Sequence, residues 1–193
     1  IGKTMISPGD KVIVEGPTFL ATIQCFRLYG AELISAPVDG YGVKTDELEK
    51  LIAEHKPKFV YLIPTFGNPS GALLSAERRQ QVLEMAVKHQ TLIVEDDPYG
   101  DLYFGEAPPP SLLAMSSAVP GSRELLVHCG SLSKVLSPGL RVGWMIAPAE
   151  LLARATMCKQ FSDAHTSTFA QATAAQYLLA GRMPATLDKV RAV

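Results

Sequence analysis

Ser131-Leu132-Ser133-Lys134 is followed by Pro138-Gly139-Leu140-Arg141. Hydroxyls and a guanidinium in so short a span make a set of donors suited to a phosphate. A lysine in the same loop can be desolvated, which lowers its pKa and makes it nucleophilic toward carbonyls. The preceding stretch, Leu125 to Cys129, is apolar and strand-like, so the loop is expected to leave the end of a buried strand. A phosphate holder beside an amine nucleophile is what pyridoxal phosphate needs. Lys134 is expected to hold it as a Schiff base, and Ser131, Ser133 and Arg141 to hold its phosphate.

Composition narrows what else the chain could do. It has 193 residues, 47% hydrophobic, with a formal net charge of −1. That is an ordinary globular make-up, with no basic surplus for nucleic acid and no polybasic segment for membranes. No apolar run approaches the roughly 20 residues of a membrane helix, and the first residues do not read as a signal peptide. Cys25, Cys129 and Cys158 are few and far apart, which reads as buried reduced thiols in a cytoplasmic protein. His55, His89, His128 and His165 show no metal-ligand spacing, so no metal site is assigned.

The frame around the loop alternates strands with helices. Lys11–Glu15, Ala31–Pro37, Phe59–Ile63, Thr91–Val94, Leu125–Cys129 and Val142–Ala147 read as strands. Helices are expected from Pro17 to Gly30, from a Thr45 cap to Pro57, from a Ser75 cap onward, and from Pro148 to Gly181 with a break near 162–166. The reading is an α/β fold, a mostly parallel sheet with helices on both faces. The connection between Cys129 and Val142 is too short for a crossover helix, so the strand at 142–147 is expected to run antiparallel.

In such sheets ligands bind beyond the carboxyl ends of the strands. Besides the Ser-Leu-Ser-Lys loop, those ends carry Gly16-Pro17-Thr18-Phe19, Gly67-Asn68-Pro69-Ser70-Gly71 and Glu95-Asp96-Asp97-Pro98-Tyr99. Each alone has a plain reading: a turn, a solvated acidic loop, a core phenylalanine. In this order and at these strand ends, through Arg141-Val142-Gly143-Trp144, the sequence resembles the pyridoxal-phosphate-dependent aminotransferases of class I/II (fold type I). It looks closest to the branch of 2-aminoadipate and kynurenine aminotransferases.

The resemblance implies a role for each residue. Lys134 would bind the cofactor and shuttle a proton. Asp96, rather than Asp97, would pair with the pyridine nitrogen, Tyr99 and Asn68 would hydrogen-bond the ring hydroxyl, and Phe19 would stack on the ring. Asn68 would also border the substrate. The substrates implied are an amino acid and a 2-oxo acid, and the assembly a homodimer. Residues 1–193 are expected to be a partial large domain, without the N-terminal arm, first strand and C-terminal small domain, and to be poorly active alone. Alternatives are the aminotransferase-like effector domain of a transcriptional regulator, or a lyase or decarboxylase on the same fold. A Ser-x-x-Lys acyl-enzyme reading of Ser131–Lys134 lacks its Lys-Thr-Gly partner.

Overall fold

The structure, a computed structural model, describes residues 1–192. In chain order it contains α1 (Gly2–Met5), β1 (Lys11–Gly16), α2 (Leu20–Leu28), β2 (Glu32–Asp39), β3 (Gly42–Val43), α3 (Thr45–His55), β4 (Phe59–Leu62) and α4 (Ala76–His89). It continues with β5 (Ile93–Asp97), α5 (Leu112–Met115), β6 (Leu126–Ser131), β7 (Gly143–Ile146), α6 (Ala149–Asp163), α7 (Thr168–Leu179) and α8 (Met183–Arg191). One sheet takes the order β3-β2-β1-β4-β5-β6-β7. Its interior pairings are parallel, and β3 and β7 add antiparallel edges. The short connection before β7 does force it antiparallel. The β3 return is too short to show any period in sequence. No helix of the described residues is long and apolar enough to cross a membrane.

From β1 the chain steps out to β2, then returns past β1 to β4 and continues to β5 and β6. Right-handed crossovers in opposite directions must place their helices on opposite faces. Accordingly Phe26 of α2 packs with Val12, Val14, Phe59, Tyr61, Val94 and Val127. Leu48 and Ile52 of α3 and Val82, Leu83 and Ala86 of α4 pack with Ile13, Val60, Leu62, Ile93 and Leu126. Adjacent strand residues alternate between the two cores because successive side chains leave opposite faces. The switch in direction opens a crevice between the ends of β1 and β4, where such folds bind ligands.

Several local expectations change. Ser75 caps α4, accepting the Arg78 N–H at 3.2 Å. Thr45 does not cap α3; Lys44 precedes it, and the Thr45 hydroxyl donates to Gln81 at 2.6 Å. The helix after β1 begins at Leu20 rather than Pro17, with Phe19 as its cap. Glu95, Asp96 and Asp97 lie inside β5, not in the loop after it, and Gly130 and Ser131 extend β6. Cys25 is exposed, contrary to the expectation of a buried thiol.

Two buried charged side chains stitch the loops at the strand ends. Arg79 is fully buried; its guanidinium donates to the carbonyls of Leu74, Pro64 and Pro110 and to Thr65 Oγ1, at 2.9–3.2 Å. It thereby holds the segment leading to Asn68, the start of α4 and the proline triplet together. Glu15, at the end of β1, accepts the Ile63 N–H at 2.8 Å and so extends the β1–β4 seam beyond its ladder.

Burial pushes the Glu15 carboxyl up to about 7, against the pull of the Ile63 hydrogen bond. Between the ordinary value of 4.5 and about 7 the folded chain holds a proton that the unfolded chain has released, so stability falls as pH rises through that window. The loss is about 3 kcal/mol at the standard exchange between pKa and free energy. Glu15→Gln keeps the acceptor and removes the charge. Its stability relative to the parent, from urea unfolding at pH 5 and pH 8, should rise with pH; parallel profiles would contradict the assignment.

Candidate active site

β4, β5 and β6 run parallel, with Tyr61 opposite Val94 and Asp96 opposite Cys129. Val94 packs on the α2 side, so Asp96, two residues on, shares that side, while Glu95 and Asp97 take the other. Asp96 lines a cavity of about 400 Å³ with Phe19, Thr22, Tyr61, Cys129 and Met145. Its Oδ2 accepts the Tyr61 hydroxyl at 2.5 Å, and Tyr61 in turn accepts from Thr22 Oγ1 at 3.2 Å. Burial raises the Asp96 carboxyl above the usual range, opposed by the Tyr61 bond and by His128. Burial, then the Asp96 charge, pushes the Cys129 thiol up to about 12, which leaves it without nucleophilic character at neutral pH.

On the opposite face protein engages Glu95 through both oxygens and Asp97 through one; Asp97 Oδ2 has no partner among the described residues, and Asp97 lines a second cavity of about 370 Å³ with Thr65, His128, Ser131 and Trp144. Glu95 accepts the N–H groups of Leu112 and Leu113 at 2.7 and 3.1 Å and bonds His128 Nδ1 at 2.8 Å. Asp97 accepts the Gly100 N–H at 2.9 Å. Ligand atoms of Glu95, Asp97 and His128 lie within 4.8 Å of one another. Burial pulls the His128 imidazole down, but Glu95, with Asp97 and Asp96, more than offsets it and leaves the pKa raised. The register that pairs Glu95 with His128 exists only across β5 and β6, so no spacing along the chain announces it.

The proposed phosphate loop closes on itself. The Ser133 N–H donates to Ser131 Oγ at 3.1 Å, and Arg141 Nη1 donates to Ser133 Oγ at 3.4 Å and to the Pro138 carbonyl at 3.1 Å. Arg141 is exposed, has a left-handed backbone (φ 55°), and has no carboxylate partner among the described residues. Leu132 and Val135 anchor the loop from below, buried against Ala174 of α7 and Leu187 of α8. Lys134 falls between those two anchors and is exposed, with no hydrogen-bond partner among the described residues. The described residues therefore do not desolvate it.

Tyr99 is half-buried against the α2-side core, the side of Asp96. Asn68 is half-buried in its turn, where Asn68-Pro69 is cis. The structure thus groups Phe19 with Asp96, and Ser131 and Ser133 with Arg141; Lys134, Asn68 and Tyr99 line neither the Asp96 cavity nor the Arg141 contacts. Sequence reading missed Tyr61 and Thr22. The available signal was a phenol in an otherwise wholly apolar strand, since a buried tyrosine hydroxyl requires a partner.

The family model for aminotransferase class I and II matches residues 2–189. This chain belongs to that family. It is 39% identical over 195 residues to a 2-aminoadipate transaminase of Thermus thermophilus, covering 100% of this chain and 48% of the relative. A crystal structure of Pyrococcus horikoshii kynurenine aminotransferase in complex with PMP superposes with a TM-score of 0.92 at 34% identity, over 98% of this chain and 47% of that one. An uncharacterized HTH-type transcriptional regulator of Bacillus subtilis is 34% identical over 180 residues, 93% of this chain and 36% of the regulator. The chain spans about half the length of the curated relatives it matches.

One close approach supports the serine loop of this aminotransferase-family chain. Gly130, immediately before Ser131, lies against the indole of Trp144 on β7; a Cβ there would sit 2.2 Å from the ring. Trp144 is the only tryptophan, so its emission reports the contact. Gly130→Ala should shift that emission and lower stability by about 1–3 kcal/mol. Adding Trp144→Ala should recover much of the loss in chemical denaturation; an equal loss with and without the indole would contradict the contact.

Proposed function

We propose that this chain is the cofactor-binding part of a pyridoxal-phosphate-dependent aminotransferase, which moves an amino group between an amino acid and a 2-oxo acid. The reading rests chiefly on Asp96 near the end of β5. Asp96 has one oxygen engaged by Tyr61 and the other without a protein partner, beside the Phe19 ring. The residues present fit the cofactor: an anion-binding loop whose arginine has no carboxylate partner, an unpaired lysine next to it, and a carboxylate and an aromatic ring sharing a cavity.

When bound, pyridoxal phosphate supplies an aldehyde and a pyridinium ring that withdraws electrons from the substrate. Lys134 Nζ would hold the aldehyde covalently and move a proton at the substrate α carbon. The free oxygen of Asp96 would keep the ring nitrogen protonated. Tyr99 and Asn68 would donate to the ring hydroxyl, Asn68 also bordering the substrate. Ser131, Ser133 and Arg141 would bind the phosphate, and Phe19 would stack on the ring.

Residues 1–193 are read as part of the large domain of a homodimeric protein. The exposed Phe161, Phe169 and Leu179 of α6 and α7 support burial against further protein. Free, unbridged cysteines support a cytoplasmic setting. The regulator relative is 34% identical over 93% of this chain, so turnover of amino donors by the intact protein separates the two readings.

Borohydride reduction of the cofactor-loaded protein, followed by peptide mapping, should place the pyridoxyl group on Lys134; labelling of Lys88 or Lys159 instead would overturn the assignment. Asp96→Asn should lower turnover by about a hundredfold or more, as loss of an oriented electrostatic group does. Asp97→Asn should act mainly on stability, through Gly100 and the Glu95–His128 cluster. The reverse ranking in steady-state kinetics would refute the choice between them.

A further inference from the structure

We infer that Tyr61 is a positioning residue for Asp96: with Thr22, it fixes which carboxylate oxygen Asp96 presents to the cofactor ring. The inference rests on the reading of Asp96 given above and assigns a role to a residue outside the cofactor contacts.

Tyr61 is 4% exposed and sits in β4, paired to Val14 of β1 and Val94 of β5, so its backbone is held on both sides. Its ring meets Phe26 edge-on, with centroids 5.6 Å apart, and Phe26 meets Phe59 in the same way at 5.3 Å. The hydroxyl therefore has little freedom to leave its partners. A phenol carries a single proton. Thr22 donates to the Tyr61 oxygen, so the phenol proton is directed to Asp96 Oδ2. Oδ1 has no protein partner among the described residues, and Asp96 lines the cavity that contains Phe19. A carboxylate pinned through one oxygen offers the other in one direction, which spares the reaction a reorientation step.

The donor also keeps Asp96 more acidic than its burial alone would allow. Burial and the Asp96 charge hold the Tyr61 proton far above the ordinary phenol range, so Tyr61 remains a donor at every working pH. The other titratable groups acting on Asp96 are Cys129, which stays neutral, and His128 from the opposite face.

Tyr61→Phe keeps the ring packing and removes only the donor. In the cofactor-free intact protein, the Asp96 carboxyl followed by carbon-13 NMR should titrate about one pH unit higher in this variant. Thr22→Val should move it the same way by less, and Thr22→Ser should restore it. In the loaded protein Tyr61→Phe should lower kcat about tenfold, the scale of one hydrogen bond to a charged group. Combined with Asp96→Asn it should add nothing further, whereas a purely structural role would multiply the two effects. An unmoved Asp96 titration, or multiplicative kinetics, would overturn the inference while leaving the role of Asp96 intact. Unchanged turnover and cofactor absorbance in Asp96→Asn would instead overturn the assignment of Asp96, and this role with it.

Discussion

Glu95, Asp96 and Asp97 leave β5 on alternating sides of a sheet that is covered on both faces, and the chemistry of this chain depends on that pleat. An acid inside a parallel sheet is costly unless its oxygens are satisfied. On the α3/α4 side Glu95 is satisfied by the backbone N–H groups of Leu112 and Leu113 and by the His128 imidazole, while Asp97 receives one donor, the Gly100 N–H. On the α2 side Asp96 receives one donor, Tyr61. Among the described residues each face thus keeps one acceptor without a protein partner, Asp96 Oδ1 on one and Asp97 Oδ2 on the other, and each acid lines a cavity.

The loops at the strand ends are held in two ways. Arg79 gathers the segment before Asn68, the N-terminus of α4 and the proline triplet, using a fork geometry that only arginine has. The Ser-Leu-Ser-Lys loop uses the opposite strategy. Leu132 and Val135 bury themselves against α7 and α8, and the polar residues between and after them face outward. That alternation explains why Arg141 is exposed and why the loop cannot also shield Lys134. An exposed lysine needs a second surface before it becomes nucleophilic at neutral pH.

The element order, the parallel sheet and its antiparallel edge strand were legible in the chain. Apolar period and length govern strands buried on two faces, and a connection too short to cross over permits only an antiparallel return. The family was also legible, because its motifs are ordered along the chain at strand ends. Less legible were the ends of elements. Acids and glycines such as Glu95, Asp97 and Gly130 have low strand propensity, yet the ladder with β6 carries them as strand.

What the sequence determined by itself is therefore local or periodic: which segments bury which faces, where Ser75 starts a helix, and which side chains could hold a phosphate and a carbonyl. What only the tertiary structure decided is the set of partners. Tyr61 meets Asp96 across 35 residues, His128 meets Glu95 across 33, and Trp144 lies on Gly130 through the β6–β7 pairing. Those contacts follow from strand order and register, which are set by the packing of helices over the whole sheet and leave no trace in the spacing of the residues they join.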